Sequence, residues 1–494
     1  MIKPEPRICI LYGFLSVLLG SVLVWLFMGL PQNGIDDADI FFVYARHFSQ
    51  GNGWVYNIGG ERVEGFTSLL WALICSGVSL FARSVDLPLY LFNLLIGTAV
   101  VCACLRRIER RGLFLLFLVS SPAWFVWCQV SLMETGLWCL LITLLGFALI
   151  EQRRNRVALL LALLVITRPE SMLWGAWAVV LLFVQADKGH RLKQTWFPAG
   201  AFICACAALV GFRLLYFGYP VPNTYYAKIS PDRAANLAGG VAYLFRYVFS
   251  TVGVLAGVIA WAAALSRGWK SDQARLALFL LPGLGIPVLV GGDHFGGFRF
   301  YQPVWPLLCV LAAKEWPVLA ARWRPHTLRR SVALVAALGW VLFPATVHMK
   351  HEFKNAYEGR AVGTALTHMF RDLEDWPTVA VITAGGHKLT YPGHVYDLMG
   401  LNSTEMAHAP GEGVTYRNHS GFNREVFYHW NPDVLLCGDS FAFDSLVLNG
   451  LHEEARFRAQ YTKCTLYRNG AECTAYFSNA FLMNMPANEK YTIP

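Results

Sequence analysis

The sequence predicts a polytopic α-helical membrane protein with a small α/β unit at its C-terminal end, and three observations predict it. First, the 494 residues are 55% hydrophobic and only 15% charged, against about 25% charged in soluble globular chains. Second, apolar runs long enough to cross a bilayer recur up to about residue 347,. Third, the 41 Lys and Arg fall in short clusters between those runs, the pattern of cytoplasmic loops. No nucleic-acid motif and no zinc spacing accompanies the net charge of +9, so nucleic acid is not expected as a partner. Nine of the 12 cysteines lie in apolar segments, where they act as small hydrophobes.

The run 8–30 is 23 uncharged residues behind Lys3 and Arg7. It is too long for a signal-peptide core and reads as an uncleaved anchor. Ten further spans are expected at 89–105, 112–128, 131–150, 157–167, 170–186, 197–217, 237–265, 275–291, 299–316 and 331–347. The stretch 66–82 is left out because of the charges. Without it, the clusters Arg106–Arg111, Arg153–Arg156, Lys188–Lys193, Arg267–Arg275 and Lys314–Arg330 all fall in the cytoplasm,. Eleven spans then put the C-terminus outside, with 66–82 lying in the outer interface. Two units follow: a membrane module over 1–347, whose first outer loop is 31–88, and an extracytoplasmic α/β unit over 348–494. In the latter a helix is expected at 361–373 and strands at 378–383, 395–399, 433–437, 461–468 and 471–477. The last two flank Asn469-Gly470, a hairpin signal that sets Cys464 and Cys473 diagonally.

With this orientation the polar oddities gather on the outer face, where ionisable groups at membrane depth are candidates for function. Asp36 and Asp37 precede a stretch with Ile40, Phe41, Tyr44 and Phe48 on one helical side,. Either acid can cap that helix, and either can take a proton from an incoming hydroxyl; one can cap while the other reacts. Glu134 opens an apolar run, and Arg168 and Glu170 sit where two runs meet. These three fit an ion pair or a site equally. Lys228 and Arg299 are suited to holding a lipid-linked phosphate by charge-assisted hydrogen bonds. For Asp293 and His294, in a Gly-rich loop, a turn, a contact to substrate and a divalent cation all stay open. Ala384-Gly385-Gly386-His387 follows a strand and reads as a turn rather than a phosphate loop.

The acidic pair after the first span, the interfacial helix and Gly59-Gly60-Glu61-Arg62-Val63-Glu64-Gly65-Phe66-Thr67-Ser68 together resemble the GT-C glycosyltransferases, which transfer sugar from a polyprenyl-phosphate carrier. Within them the sequence is most similar to bacterial arabinofuranosyltransferases, including proteins linked to pilin glycosylation. The resemblance is carried by Met133-Glu134-Thr135, Arg168-Pro169-Glu170, Asn223-Thr224-Tyr225-Tyr226-Ala227-Lys228, Gly292-Asp293 and Tyr396-Asp397-Leu398-Met399-Gly400-Leu401-Asn402, in that order along most of the chain. It implies an inverting transfer of D-arabinofuranose, with Asp36 as general base and Asp37 beside it. It also implies Lys228 and Arg299 at the donor phosphate, and a pocket of Glu64, Glu134, Arg168, Glu170, Asn223, Tyr226, Asp293 and His294. The acceptor would be a glycan, a lipid or a surface protein such as pilin, met on the outer side of a bacterial cytoplasmic membrane. No cofactor is implied beyond the cation left open above. A flippase or transporter would instead show internal repeats around a midplane site, and a non-enzymatic assembly factor would tolerate Asp36→Asn.

Overall fold

The structure is a computed structural model that describes residues 5–228, 232–319, 349–410, 422–436, 447–468, 471–485 and 491–492, with 321, 330, 333–334, 336–337 and 339–341. Most of the expected span 331–347 lies outside the described residues, as do Asn469 and Gly470.

Long apolar segments fold as helices because each backbone group in lipid must find its partner within the segment. Among the described residues Pro6–Met28, Asp86–Leu105, Arg191–Tyr216 and the segment Asp272–Leu289 are long and apolar enough to cross a bilayer. Two more reach that length only as bent pairs, Arg111–Val119 with Pro122–Val130 at 80° and Arg233–Val248 with Val252–Leu265 at 105°. The first bend falls at Pro122, which has no N–H to continue the ladder,. At the second, the Thr251 hydroxyl accepts from Val254 N at 3.1 Å and starts a new helix,. Length and composition thus support four spans, or six with the bent pairs, where eleven were expected. Thr135–Ile150, Ser171–Gln185 and Arg154–Val165 have 16, 15 and 12 residues. At about 1.5 Å per residue they fall short of a hydrocarbon core about 30 Å thick. Leu69–Ser79, inside the stretch left out of the spanning set, has only 11 residues. It is tied sideways to the bundle by Leu70 N to Ile166 O at 2.9 Å and Trp71 Nε1 to Leu132 O at 3.2 Å.

Beyond residue 349 the helix Met349–Phe370 begins earlier than expected and leads into a six-stranded sheet. Its strands are β1 (Val379–Val381), β2 (Val395–Asp397), β3 (Val434–Leu436), β4 (Tyr461–Arg468), β5 (Ala471–Ser478) and β6 (Tyr491–Thr492), in the order β2-β1-β3-β5-β4-β6. β1 pairs in parallel with β2 and β3, while β5 is antiparallel to β3 and β4. Cys464 opposes Ala475 and Cys473 opposes Leu466, so the two cysteines are diagonal; Cys464 is a free thiol.

The first loop fastens this sheet to the helical bundle. Tyr56 Oη donates to Ala384 O at 2.7 Å, and the Asn57 amide bonds both backbone groups of Val395 at 3.0 Å. Arg360 donates to Asp39 Oδ2 at 2.8 Å and to Asp86 Oδ1 at 2.8 Å. Because Asp39 is 0% exposed, its charge has no water to turn to. Replacing Arg360 with Ala should therefore destabilise the protein by about 3–5 kcal/mol, the usual result of leaving one partner of a buried pair alone. Thermal unfolding in detergent checks this, and Asp39→Asn in the Arg360→Ala background should recover part of the loss.

Candidate active site

The charged residues of the sequence motifs collect at the turns between the short helices. Glu134 stands just before Thr135–Ile150, without a side-chain bond to the helix, after a π-helical turn at Val126–Val130 and a left-handed Leu132 (φ 58°). Arg168 sits in the turn between two helices, its Nη1 on Glu134 and its Nη2 on Glu170 Oε1 at 2.8 Å. Arg299 follows the Gly-rich loop, with Phe298 left-handed (φ 54°) before it. Its Nε donates to Asp293 Oδ2 at 2.8 Å, and its Nη1 lies 3.4 Å from Asp37 Oδ2. Phe300 lies under both guanidinium groups, 5.5 Å from Arg168 and 5.3 Å from Arg299, a cation–π arrangement that holds two like charges near one ring. Asp293 also lies 3.4 Å from His294 Nδ1. Among the described residues no three His, Cys, Asp or Glu side chains gather as a metal site, and Asp293 is engaged by Arg299.

Lys228 ends the short helix Asn223–Lys228, half-buried, and no ion pair holds its ammonium among the described residues. Burial pulls its pKa down, while Asp37 and Asp293 pull it up and Arg299 and Arg168 lower it. Those influences put Lys228 in the field of the cluster. Glu352, from the helix Met349–Phe370, joins it too: burial first, then Asp37 and Asp36, push its carboxyl up to about 8.

Asp36 and Asp37 part company. Asp37 faces Arg299 and is 22% exposed. Asp36 turns to the first turn of the helix Ala384–Thr390, where its Oδ2 accepts from Gly385 N at 3.0 Å and its Oδ1 from Gly386 N at 2.8 Å. The Gly pair expected as a turn instead opens a helix, and its free amides seat a carboxylate. A Cβ on Gly385 would lie 2.0 Å from Asp36 O, so only glycine admits this approach. Burial, against those two donors and with help from Asp39 and Asp37, raises the Asp36 carboxyl to about 7.

Three expected pocket residues lie elsewhere. Glu64 is buried against Arg213, with Oε2 2.8 Å from Nε. Asn223 donates through Nδ2 to the carbonyls of Gly400, Leu401 and Ser403 at 2.8, 3.1 and 3.0 Å. Tyr226 packs its ring 4.2 Å from that of His408. Asn223 and Tyr226 contact the C-terminal segment and Glu64 the helix Arg191–Tyr216, so long-range partners engage all three. Arg360 and Glu352 were absent from the expected residues; they belong to no outer-loop motif, and only the fold brings them close.

A small apolar pocket lies beside the centre. Trp138, Trp174, Gly283, Pro287 and Val304 line it with Glu170 and Phe300, and its free volume of about 10 Å³ is about that of one water.

No protein-family model matches the sequence, and no curated protein matches it. Among solved structures the chain is similar to ArnT from Cupriavidus metallidurans in the apo state, with a TM-score of 0.59 and 13% identity over 94% of this chain and 98% of that one. The same protein bound to undecaprenyl phosphate gives a TM-score of 0.56 with the same identity and coverage. The archaeal oligosaccharyltransferase AglB from Archaeoglobus fulgidus, in complex with an inhibitory peptide and a dolichol-phosphate, gives 0.49 at 10% identity, over 97% of this chain and 75% of that one.

The raised Asp36 pKa carries a sign. The folded state binds this proton more tightly than the unfolded chain, so its contribution to stability is full below the ordinary carboxylate range. It is lost as pH rises through about 7,. The melting temperature should fall between pH 5 and 8, and Asp36→Asn should flatten that fall by up to about one proton. An unchanged slope in the variant would show that Asp36 is ionised throughout. At this level of identity the likeness to ArnT is one of architecture: the chain shares the fold of that protein.

Proposed function

We propose that the chain is a membrane glycosyltransferase that moves a sugar from a polyprenyl-phosphate donor to a hydroxyl acceptor by single inverting displacement. D-arabinofuranose is the sugar that the sequence resemblance favours. The proposed active site opens on the extracytoplasmic side of a bacterial cytoplasmic membrane, with the spanning helices below it and the C-terminal α/β unit above. The observation that carries the reading is the meeting of Asp37, Arg299, Asp293, Arg168, Glu134 and Glu170, with Lys228 in their field, beside a small apolar pocket. Added support comes from a fold shared with a protein bound to undecaprenyl phosphate.

The chemistry follows from the pairing. Arg168 and Arg299 each already meet two carboxylates, so an incoming phosphate must compete for them. The long 3.4 Å contact from Arg299 to Asp37 is the weakest of these and is the one that gives way. The donor phosphate then takes Lys228 and the Nη1 side of Arg299. Asp37, released and partly exposed, accepts the proton of the acceptor hydroxyl as it attacks the anomeric carbon. The departing phosphate monoester stays neutralised by the same cations. Asp36 was the base expected from the resemblance. In this reading it anchors the C-terminal unit through Gly385 and Gly386, and the base is its neighbour.

Sugar transfer from a synthetic polyprenyl-phosphate donor by the purified protein tests this. Asp37→Asn should lower kcat about 10²–10⁴-fold, the usual worth of a general base, whereas Asp36→Asn should cost less and lower the melting temperature. Lys228→Ala should raise the donor KM more than kcat falls. Loss of turnover in Asp36→Asn with turnover kept in Asp37→Asn would return the base to Asp36. No transfer by wild type from any such donor would end the reading.

A further inference from the structure

Away from the charged centre, a cleft of about 270 Å³ lies between the first loop and the C-terminal sheet. This is slightly below the roughly 300–1,000 Å³ of ordinary small-molecule sites. One wall is aromatic: the rings of Tyr396 and Trp430 stack with centroids 4.6 Å apart and planes at 12°. Both residues remain only part-buried. The facing wall carries Tyr56, Asn57 and Glu61, and Glu405 closes the rim.

These groups are fixed in place before any ligand arrives. Glu61 Oε1 accepts from Thr404 N at 2.9 Å, and Glu405 Oε2 accepts from Trp430 Nε1 at 2.7 Å. Asn57 is clamped by its two bonds to Val395. Each bond uses part of a side chain's capacity and leaves further lone pairs for a ligand, since a carboxylate accepts about four hydrogen bonds. A rigid aromatic face beside carboxylate and amide acceptors matches a neutral sugar ring. The C–H face of the ring packs on the aromatic surface and its equatorial hydroxyls donate to the acceptors. Glu61, Asp397 and Glu405 line the cleft with no Lys or Arg among the described lining residues, so a phosphate-bearing ligand is disfavoured. The donor lipid is thereby kept out of it.

The cleft wall is also bonded to the segment that holds Asp36, the neighbour of Asp37. Tyr56, in its wall, donates to Ala384 O, and the next two amides hold Asp36. We propose that this cleft is an acceptor subsite for a neutral oligosaccharide: inner sugar units rest against Tyr396 and Trp430, and the terminal hydroxyl extends toward Asp37. The inference rests on the glycosyl-transfer reading and narrows its acceptor to a glycan.

Binding can be read without turnover. Full-length protein in nanodiscs is titrated with neutral linear arabinan and mannan oligosaccharides of two to six units, following saturation-transfer NMR and calorimetry. Wild type should bind saturably, with longer oligosaccharides tighter than disaccharides. Trp430→Ala should weaken binding at least tenfold. Glu61→Gln keeps an acceptor for Thr404 N and should weaken it about threefold, which decides the matter if Trp430→Ala fails to melt cooperatively. No binding to wild type at millimolar sugar, equal binding by both variants, or capture of a basic peptide in preference to every glycan would each overturn the proposal. Saturable binding that needs Trp430 and Glu61, in a protein that transfers no sugar, would sustain the cleft and sink the transferase reading instead.

Discussion

The carboxylate of Asp36, seated between the amides of Gly385 and Gly386, is the contact on which the rest of the arrangement depends. It joins the first turn of the helix Asp36–Ser49 to a segment about 350 residues further along the chain,. Successive residues on an α-helix point about 100° apart, so with Asp36 committed to the amides of Gly385 and Gly386, Asp37 must face another way. That other way is Arg299. Two adjacent acids thus receive different tasks from helix geometry alone. The cost is a buried carboxyl whose proton is held too tightly, and the two backbone donors offset part of it,.

The charged centre obeys the same economy of pairing. An ion removed from water must be met by a counter-ion and by hydrogen bonds. Arg168 has Glu134 and Glu170, Arg299 has Asp293 and Asp37, and Phe300 lies within cation–π reach of both. A centre so closely balanced has little field left for an added anion, so ligand binding has to rearrange it. Lys228, with no ion pair among the described residues, and the stretched Asp37 contact are where rearrangement costs least.

Much of this was legible in the sequence, because local patterning has local causes. Unbroken apolar runs gave the long helices, the Asn469-Gly470 signal gave β4 and β5 as a pair, and the omission of 66–82 from the spans agrees with an 11-residue helix. The motif residues Glu134, Arg168, Glu170, Asp293 and Arg299 come together as one cluster. What could not be read is what depends on contacts far apart in sequence. The lengths of Thr135–Ile150 and Arg154–Val165 are set by where the charged turns must sit, which hydropathy does not register. Asn223 and Glu64 look like site residues because they are polar and border apolar runs, yet their partners Gly400 and Arg213 lie about 180 and 150 positions away. Gly385 and Gly386 carry no charge, so nothing marks them as the receptor for an acid. Arg360 and Glu352 sit on a helix without a distinctive motif, and only folding sets them beside Asp39 and Asp37.

The most direct measurement is a cryo-electron microscopy map of the full chain in a nanodisc with a polyprenyl phosphate bound. Phosphate density should lie within hydrogen-bond reach of Lys228 and Arg299, with the isoprenoid against Trp138 and Trp174 and the Asp37 carboxylate withdrawn from Arg299. Asp36 should still rest on Gly385 and Gly386. A phosphate bound at another face of the bundle, with the Asp37 to Arg299 contact intact, would contradict the proposed catalytic centre.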